Sequence, residues 1–564
     1  MIPSTIEGNG IGHIKRMLSL SKELDEDTYL YINKEDRLRL SPIFEDYEKT
    51  NIIDELKDLD SYKKIVIDLR NLEIDFFEQI LKGHNTIAID EGGVCREKIP
   101  YLIDILPLPD RFSSPNIRSL SFLSFPEIIR REKNNKILVS FGGEDPAKLT
   151  EKFCEQIKTQ CKELISRLTI VLGPIYKGNI PDSQFEVLHS PSSLYGVLPS
   201  YSGVICSFGI TAFEANHLEI PVLMVNPGDY HEELSRISGF TSAGITRGDM
   251  NKIKQFIINP SSLKLVEIDS DESSLSTFIH MIDEVDVKCP VCSNNSFLVQ
   301  ARFKWRTFNR CSHCGMLYML NFNKNKIKYD KEYFFNQYEN QYGKTYLDDF
   351  DHISDLSEER LNIIGKITGK KKNILDVGCA YGPFIKKAFH LGYFSFGTDI
   401  SDDAVSYVKN ELNINALCCE FDKFKIPKTW NIEYFDILTM WYVIEHFEDL
   451  GSILKRVNTL LKIGGVFAFS TPNGSGISSR NNQNDFLYNS PDDHYTIWEP
   501  HKSSAILNLF GFKLVKIRIT GHHPERFHSF LKKTEFGRRI LRFKSRLFKM
   551  GDTFVIYAKK EREL

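Results

Sequence analysis

Four cysteines stand in two Cys-x-x-Cys pairs, a spacing that could bind a metal ion. Cys289 and Cys292 form the first pair, and Cys311 and Cys314 form the second, with 18 residues between the pairs. Each pair predicts a tight knuckle whose backbone N–H groups point at the thiolates, and four thiolates offer the tetrahedral ligand set that Zn²⁺ favours. Chance cysteines or two disulfides are the alternative. Because protein ligands fill all four positions, we expect a structural Zn²⁺.

A glycine-containing turn follows an apolar strand in NILDVGCAYGPF, a pattern typical of cofactor-binding loops. Gly378 permits a sharp turn and close approach of a ligand, while Asp376 can orient the loop. Dinucleotide-binding domains carry a similar turn, so the turn alone does not identify the cofactor. Asp399 ends the next predicted strand, 23 positions beyond Asp376, where a carboxylate can accept hydrogen bonds from both hydroxyls of a ribose.

Candidate acid–base residues follow a further predicted strand in FDILTMWYVIEHFEDL. Trp441 ends that strand, and Glu445 and His446 follow shortly after it. His446 could remove a proton from a nucleophile, with Glu445 as the residue that orients it. The alternative is that both residues only cap or brace the loop beside the cofactor. His494, in DDHY, is a second candidate base.

The order of these motifs resembles the class I S-adenosylmethionine-dependent methyltransferases, including the subgroup with Glu-His after the fourth strand. The resemblance covers roughly residues 351–564 and includes LLKIGGVFAFSTPN and the segment from DDHY to FGFKL. It implies methyl transfer from a sulfonium to a nucleophile, with Phe421 and Asp422 beside the adenine. Ala380 departs from the family, whose loop often has another glycine there. The cofactor-binding residues that the resemblance implies are Asp376, Gly378, Cys379, Gly382, Asp399 and Trp441.

Three segments of the first half occur in the order seen in two-domain, glycosyltransferase-B-like enzymes that handle UDP-sugars. They are GNGIGHIKRMLSLSKEL, VSFGGEDPAKLTEKF and CSFGITAFEANHLEIPVLMVN. Over about residues 1–275 the chain resembles the UDP-sugar hydrolase family of the pseudaminic-acid pathway. The resemblance implies a nucleotide-sugar as the substrate of this half.

The same resemblance assigns roles to residues of the three segments. His13 takes the position of a histidine that is important to catalysis in that family, and a helix starting beside it would favour an anionic diphosphate. Gly12, Gly142 and Gly143 would let the backbone approach that diphosphate, and Glu214 matches the acid that holds the ribose. The alternatives are a capping or packing histidine at position 13 and a surface charge at position 214.

Two departures bear on the reaction of the first half. Arg70, in VIDLRN, stands where the hydrolase family tends to have a catalytic tyrosine, and NPGDYHEEL replaces the usual segment near the nucleotide. Only MIPSTIE precedes the first glycines, so the first strand is nearly absent. These departures favour the alternative that the first half is a non-catalytic module that binds a nucleotide-sugar.

The elements that must position these residues alternate strand, turn and helix along the chain. Apolar β-rich runs such as KKIVIDLR, KILVSFGG and FDILTMW predict an α/β class with parallel sheets. We expect two doubly wound Rossmann-like domains of glycosyltransferase-B type, a small zinc ribbon, and a Rossmann-like class I methyltransferase domain. The expected bounds of these domains are 1–130, 131–285, 286–325 and 326–564.

Composition limits the class of protein. The chain has 564 residues, 41% of them hydrophobic and 26% charged, which is typical of globular material in several domains. Lys and Arg total 72 against 75 Asp and Glu, so we expect no nucleic-acid partner. No apolar run is long enough to span a membrane, and no signal peptide is recognised. We therefore expect a cytoplasmic protein with reduced thiols.

A basic segment at 526–551 mixes nine Lys or Arg residues with Phe, Leu and Ile. A basic amphipathic helix can lie on an anionic membrane, so peripheral membrane contact through this segment is one interpretation. The other is that its aromatic face packs on its own domain.

The two resemblances together imply a bifunctional enzyme of surface-glycan biosynthesis, acting on a nonulosonic acid or deoxyamino sugar. It would combine a nucleotide-sugar hydrolase-like or transferase-like half with S-adenosylmethionine-dependent methylation of a sugar or its derivative. The second hypothesis is a methyltransferase whose first half only binds the nucleotide-sugar. A third, an RNA methyltransferase that reads RNA through the zinc ribbon, is disfavoured by the near-neutral charge.

Overall fold

The structure is a computed structural model of the whole chain. It divides into two compact units, the first made of Met1–Asp286 with Arg302–Trp305 and the second of Val287–Ala301 with Arg306–Leu564. The structure describes all residues except 7–10, 25–26, 45–50, 57–58, 81–84, 110, 124, 126, 129, 192–193, 268–273, 324–342, 344 and 370–371. Residues 8–10 of the first glycine segment, residue 129 beside the expected boundary at 130, and the expected boundary at 326 therefore lie outside the described residues.

The first unit contains two parallel sheets of separate sequence ranges. Within its described residues, one sheet has the order β1-β4-β5-β6-β7 and the other β10-β9-β8-β11-β12-β13, while β2 and β3 pair alone. The strands are β1 (Ile2–Pro3), β2 (Tyr29–Tyr31), β3 (Asn51–Ile53), β4 (Lys64–Asp68), β5 (Asn85–Ile89), β6 (Tyr101–Asp104), β7 (Ile117–Arg118), β8 (Ile137–Ser140), β9 (Leu168–Leu172), β10 (Glu186–His189), β11 (Gly203–Cys206), β12 (Val222–Asn226) and β13 (Ser242–Ile245).

Helices connect these strands, as the alternating pattern predicts. They are α1 (Gly12–Glu23), α2 (Lys34–Arg39), α3 (Ser41–Phe44), α4 (Ile74–Ile80), α5 (Leu149–Gln160), α6 (Leu194–Val197), α7 (Ile210–His217), α8 (Asp229–Ile237), α9 (Met250–Ile258) and α10 (Leu275–Met281). Every residue of β8, β9 and β12 is buried, which explains why these strands read as continuous apolar runs rather than as alternating ones. Gly142 and Gly143 follow the carboxyl end of β8, and Gly12 begins α1.

The second unit contains a small antiparallel sheet, β14-β15-β16-β22, and a larger sheet, β19-β18-β17-β20-β21-β24-β23. The larger sheet is parallel apart from β24, which pairs antiparallel with both β21 and β23. The strands are β14 (Phe297–Phe303), β15 (Arg306–Cys311), β16 (Leu317–Asn321), β17 (Asn373–Val377), β18 (Phe394–Asp399), β19 (Asn415–Cys418), β20 (Phe435–Trp441), β21 (Leu461–Pro472), β22 (Thr496–Ile497), β23 (Phe512–Thr520) and β24 (Thr553–Lys560).

The helices of the second unit connect the strands of the larger sheet. Their inner faces pack with β17, β20 and β21 into one apolar cluster that includes Ile364, Ile374, Ile385 and Ile437. The helices are α11 (Phe350–Thr368), α12 (Pro383–His390), α13 (Asp402–Asn410), α14 (Leu450–Leu460), α15 (Ile477–Asn481), α16 (Gln483–Tyr488), α17 (Ser503–Leu509) and α18 (Glu535–Leu547).

The basic segment is helical only in part. A short 3₁₀ turn covers Phe530–Lys533, and α18 starts afresh behind Thr534, whose hydroxyl accepts a hydrogen bond from the N–H of Gly537. This cap interrupts the single helix that the sequence suggested, because Thr534 turns the chain before the next helix can begin. No helix among the described residues is long and apolar enough to cross a membrane.

Candidate functional site

The glycine turn after β17 requires left-handed backbone at three positions. Gly378 and Gly382 have φ values of 68° and 82°, and a Cβ on Gly378 would lie 2.4 Å from a methyl carbon of Val443. Ala380 has a φ of 47°, a region that non-glycine residues adopt at a cost of about 1 kcal/mol or more. The turn is therefore built for close approach, and Ala380 stands in it under backbone strain.

Two buried carboxylates lie at this edge of the sheet. Asp376 accepts a hydrogen bond of 2.5 Å from the hydroxyl of Thr439, and burial raises its pKa well above the ordinary value. Asp399 accepts the N–H groups of Ala380 at 2.8 Å and Ser401 at 3.0 Å. Burial raises the pKa of Asp399, while these N–H groups act in the opposite direction. Asp399 thus holds the glycine turn and keeps acceptor capacity for a ligand hydroxyl.

Trp441 closes the same edge at the end of β20. Its ring packs 5.0 Å from the ring of Phe384, and the guanidinium of Arg360 lies 4.3 Å from its centre. The indole Nε1 is buried and has no hydrogen-bond partner among the described residues. A buried donor without a partner costs about 1–3 kcal/mol, so this atom fits a ligand acceptor. Tyr442, the next residue, has a strained φ of 59°.

The remaining residues implied by the resemblance lie close to this edge. Cys379 is buried, and its Sγ is so close to Gly397 of β18 that a Cβ there would be 2.8 Å away. Phe421 is buried and Asp422 is exposed. Cys379 therefore packs the turn against the sheet, and Asp422 is free to face a bound molecule.

A histidine pair forms the polar centre beyond β20. Nδ1 of His446 lies 3.0 Å from Oδ2 of Asp493, and the rings of His446 and His494 are 4.8 Å apart at an angle of 83°. Burial lowers the pKa of His446, but the hydrogen bond that Nδ1 donates to Asp493 and the charges of Glu445 and Asp493 outweigh it, so the net shift is upward. Burial and the charge of His446 lower the pKa of His494 to about 3. The pKa values of the two imidazoles are therefore shifted in opposite directions.

Glu445 is buried beside this pair. Burial raises its pKa to about 7, and neither carboxylate oxygen meets hydrogen-bond geometry with any described residue, although the nearby Thr471 hydroxyl moderates the shift. Ligand atoms of Glu445, His446 and His494 lie within 4.8 Å of one another, so this centre could also hold a divalent cation. The residue that orients His446 in the structure is Asp493, whereas the sequence suggested Glu445.

The four cysteines of the paired array come together as predicted. The Sγ atoms of Cys289 and Cys314 are 3.6 Å apart, as are those of Cys292 and Cys311, and the four atoms lie within 4.8 Å of one another. Thiolates around a tetrahedral Zn²⁺ with bonds of about 2.3 Å would be about 3.8 Å apart, so the cluster fits this ion. The N–H of His313 points at Sγ of Cys311 at 3.4 Å, which is the expected knuckle geometry.

The cysteine-bearing sheet supports the loop that carries the histidine pair. β16 pairs antiparallel with β22, which begins two residues after His494, and the N–H of Met319 donates to the carbonyl of Tyr495 at 2.9 Å. Arg306 forms a 2.7 Å ion pair with Asp492 and donates to the carbonyl of Ser490 at 2.6 Å. The position of Asp493 and His494 thus depends on the ribbon.

In the first unit, His13 belongs to a buried charge network. Nδ1 of His13 lies 2.6 Å from Asp68, at the end of β4, and Arg16 donates two hydrogen bonds to Asp68 and one of 2.7 Å to Asp90, after β5. Burial acts to raise the pKa of Asp68, but the contacts with Arg16 and His13 outweigh it and lower this pKa to about 2. Asp90 is also buried, and burial raises its pKa. His13 is therefore a side chain of α1 oriented by a fixed carboxylate.

The other predicted residues of the first unit lie in the turn after β8, at the start of α1 and within α7. Gly142 has a φ of 95°, and a Cβ on it would meet no atom within 4 Å, so the space above it is open. A Cβ on Gly143 would lie 2.8 Å from Ile11, and one on Gly12 would lie 3.3 Å from Ile210. Glu214 is half-buried, and burial raises its pKa more than Lys15 lowers it.

Arg70 has a structural role that the sequence did not indicate. Its φ is 65°, and its guanidinium lies 4.8 Å from the ring centre of Tyr230 in the segment NPGDYHEEL. Burial, together with the charge of Arg70, lowers the pKa of His231 to about 4. The two departures from the hydrolase pattern therefore contact each other, which couples one change to the other.

Sequence reasoning missed Asp493, Arg16, Asp68 and Asp90 as site residues. Asp68 and Asp90 carried a usable signal, because KIVID and TIAID are neighbouring parallel strands that both lead into an aspartate at the same sheet edge. Asp493 stood beside the predicted His494, but its pairing with His446 joins positions far apart in the chain.

A comparison with family models matches part of the second unit. Residues 350–517 match the family model described as a methyltransferase domain. The ubiquinone biosynthesis O-methyltransferase of Coxiella burnetii is 34% identical over 113 residues, covering 19% of this chain and 47% of that protein. The one of Nitrosomonas europaea is 30% identical over 129 residues, covering 22% and 55%. The chain spans about half the length of the curated relatives it matches.

Two further likenesses are weaker. An uncharacterized protein of Methanocaldococcus jannaschii is 25% identical over 268 residues, covering 40% of this chain and 54% of that protein. A SAM-dependent methyltransferase structure from Archaeoglobus fulgidus has a TM-score of 0.29 and 22% identity, covering 40% of this chain and 99% of that chain. The family model and the sheet order, rather than these likenesses, show that the second unit carries a methyltransferase domain with a Rossmann-like class I fold.

Proposed function

We propose that the methyltransferase domain uses S-adenosylmethionine to methylate an acceptor hydroxyl. The observation that carries the proposal is one sheet edge that combines the glycine turn, the carboxylate of Asp399 and the unpartnered Nε1 of Trp441. Such an edge offers a ribose-binding carboxylate, close backbone approach and a spare donor. The matched relatives named O-methyltransferases favour oxygen as the methylated atom.

The cofactor, when bound, supplies a methyl group on a positively charged sulfur. Asp399 would hold the ribose hydroxyls, Gly378 and Gly382 would admit the chain of the cofactor, and Trp441 would donate to an acceptor atom. His446, whose Nδ1 lies 3.0 Å from Oδ2 of Asp493, would take the proton of the attacking hydroxyl. Loss of this proton would make the acceptor oxygen a stronger nucleophile toward the methyl group.

S-Adenosylmethionine binding by the full chain tests the cofactor assignment. In Asp399→Asn, the loss of a charged acceptor should weaken affinity by roughly tenfold to a hundredfold, because a hydrogen bond to a charged group contributes about 1.5–3 kcal/mol. Asp402→Asn, an exposed aspartate on α13, is the matched control and should bind as the wild type does. Calorimetry measures both, with thermal melting to check the fold. Equal affinity in Asp399→Asn and wild type would reject the assignment.

We also propose that the four-cysteine cluster binds structural Zn²⁺. The distances between the sulfur atoms support this ion. Its role would be to stabilise the small sheet, because β16 of that sheet pairs with β22, the strand next to His494. A closed set of four protein ligands excludes a direct catalytic role for the metal.

For the first unit we propose a nucleotide-sugar site, which would make the chain a bifunctional enzyme of surface-glycan biosynthesis. Support comes from the His13–Asp68 pair at a sheet edge and from the open space above Gly142. In a hydrolase, His13 would activate water or protonate the leaving group at the diphosphate. The alternative is a non-catalytic binding module, which the contact of Arg70 with Tyr230 favours.

Release of UDP from nucleotide-sugars by the full chain separates the two readings of the first unit. Turnover that is lost in His13→Ala and kept in His189→Ala, an exposed histidine, would support the hydrolase. Tight UDP binding without turnover would support the binding module. Absence of both binding and turnover would reject the nucleotide-sugar site.

A further inference from the structure

Residues 521–552 form an insertion in the hairpin of β23 and β24. Thr520 and Thr553 face each other in the antiparallel register, so a tight turn of two to five residues would suffice to join the strands. The chain instead builds a 3₁₀ turn, Phe530–Lys533, and α18. We call residues 521–552 the α18 insertion.

The α18 insertion is folded against the second unit by specific contacts. Arg526 forms a 2.7 Å ion pair with Asp552, which closes the insertion at its base. Leu541 of α18 packs with Phe527 and with Ile477 of α15 in a small apolar cluster. The face of α18 that carries Leu541 is therefore packed against the rest of the unit, and we call the opposite side of the helix its outer face.

The outer face of α18 is an exposed apolar stripe. Phe536, Ile540, Phe543 and Leu547 are 75%, 40%, 68% and 63% exposed. Their spacing of four, three and four residues places them along one side of the helix, away from the inner residue Leu541. A contiguous exposed stripe of this kind on a folded helix marks an interaction surface.

Cations surround this stripe. Segment 526–551 contains nine Lys or Arg residues and one acidic residue, Glu535, whereas the whole chain has a net charge of −3. Arg539 and Arg546 lie beside the stripe on one side and Lys544 on the other, and all three are exposed. Phenylalanines ringed by cations match the boundary between the acyl chains and the anionic headgroups of a bilayer. A second copy of this face would bring like charges together.

The insertion leaves the sheet at the edge that carries the methyltransferase residues. β24 is antiparallel to β21 and to β23, so β23 ends at the same edge as β17 and β20. The loop after β21 joins the insertion there, because the N–H of Asn473 donates to the carbonyl of Asp552 at 2.8 Å. The α18 insertion and the turns that carry the methyltransferase residues therefore start from the same edge of this sheet.

We propose that the α18 insertion docks the protein on an anionic membrane surface, with the stripe at the acyl boundary and the cations at the phosphate groups. Resting on the proposed methyltransferase function, this docking turns the reaction edge toward the bilayer, so the acceptor class is a lipid or a lipid-linked molecule. Docking itself requires neither cofactor nor acceptor.

Co-sedimentation of the full chain with vesicles tests the docking. Wild-type protein should bind vesicles of 70% phosphatidylcholine and 30% phosphatidylglycerol at least tenfold more tightly than pure phosphatidylcholine, and salt should weaken this binding. Phe536→Ser/Phe543→Ser should lower the affinity at least tenfold. Arg539→Gln/Arg546→Gln should lower it by roughly fivefold per cation.

Matched control variants distinguish binding through this surface from nonspecific binding by exposed apolar or basic residues elsewhere on the chain. Phe389→Ser/Phe394→Ser removes two phenylalanines that are 55% and 60% exposed elsewhere on the unit, and Arg131→Gln/Lys133→Gln removes two exposed cations of the first unit. Both should bind vesicles as the wild type does. S-Adenosylmethionine affinity, measured in every variant, should not change, which keeps failure of docking separate from failure of the methyltransferase function.

Three results would overturn the docking proposal. One is equal binding to neutral and anionic vesicles, and another is equal binding by wild type and the Phe536→Ser/Phe543→Ser variant. The third is a vesicle-free dimer, detected by analytical ultracentrifugation, that this variant dissociates, because it would assign the stripe to a second copy of the chain.

Discussion

Replacing Asp493 by Asn should slow methyl transfer through His446 while leaving the cofactor site intact. Asp493 is 3.0 Å from Nδ1 of His446, and its side chain is only 10% exposed. Its carboxylate favours the imidazolium that forms when His446 takes a proton, and an amide cannot do so. A hydrogen bond to a charged group contributes about 1.5–3 kcal/mol, which corresponds to roughly a tenfold to 150-fold loss of kcat.

The pH dependence gives this prediction its sign. Contacts with Asp493 raise the pKa of His446 against the effect of burial, so their removal leaves burial to lower it. The acidic limb of the kcat profile of Asp493→Asn should therefore move to lower pH, by about one to two pH units for the same 1.5–3 kcal/mol. A residue that served only the fold would lower activity without moving this limb.

Steady-state kinetics with labelled S-adenosylmethionine across pH 5–9 provide the assay. Asp492→Asn is the control, because its side chain is 73% exposed and Arg306 keeps its bond to the Ser490 carbonyl. That variant should retain kcat within about twofold. The reasoning is refuted if Asp493→Asn keeps both kcat and the acidic limb of wild type, or if cofactor affinity falls as much as kcat.

Three further predictions follow from the second unit. Glu445 has a pKa of about 7 against an ordinary 4.5, so the folded state holds its proton longer, and stability should fall by up to ~3 kcal/mol as pH rises from 4.5 through 7; urea unfolding should show this slope in wild type and not in Glu445→Gln, and equal slopes would contradict it. Cys292→Ser should lose one Zn²⁺ per chain by mass spectrometry and lower kcat more than cofactor affinity, whereas Cys418→Ser, an exposed cysteine, should change neither. Ala380→Gly relieves a φ of 47° and should raise the melting midpoint by an amount equivalent to ~0.5–1 kcal/mol, and a lower midpoint would show that the turn is not strained there.

Local patterns made most of the methyltransferase sheet predictable. The runs NILDVG and FDILTMW are buried strands that end in functional turns, and β17 and β20 occupy those positions. The edge strand β19 has little sequence signal, because only Ala416 among its four residues is buried, which leaves no apolar run to detect. The cysteine cluster was predictable since each pair folds as a local knuckle.

Pairings made by tertiary structure were out of reach. His446 and Asp493 meet although α14, β21, α15, α16 and a loop lie between them in the chain, and no spacing rule encodes that return. The contact of Arg70 with Tyr230 is of the same kind, and each residue alone looked like an unexplained departure. The composition of the basic segment predicts an amphipathic helix, but the break between the 3₁₀ turn and α18 depends on the cap made by the side chain of Thr534.

The Zn²⁺ proposed for the four-cysteine cluster would give a physical reason for a cysteine knuckle beside this methyltransferase domain. Asp493 and His494 stand on a loop after α16, where few apolar contacts would hold polar side chains in register. The antiparallel pairing of β16 with β22 fixes the chain immediately after that loop. Zn²⁺ binding would make the ribbon stable without a large core, and the energy of ligation would thereby hold Asp493 against His446. On this argument the metal acts on the reaction only through the position of one carboxylate, so its loss should resemble Asp493→Asn in kcat and in the acidic limb.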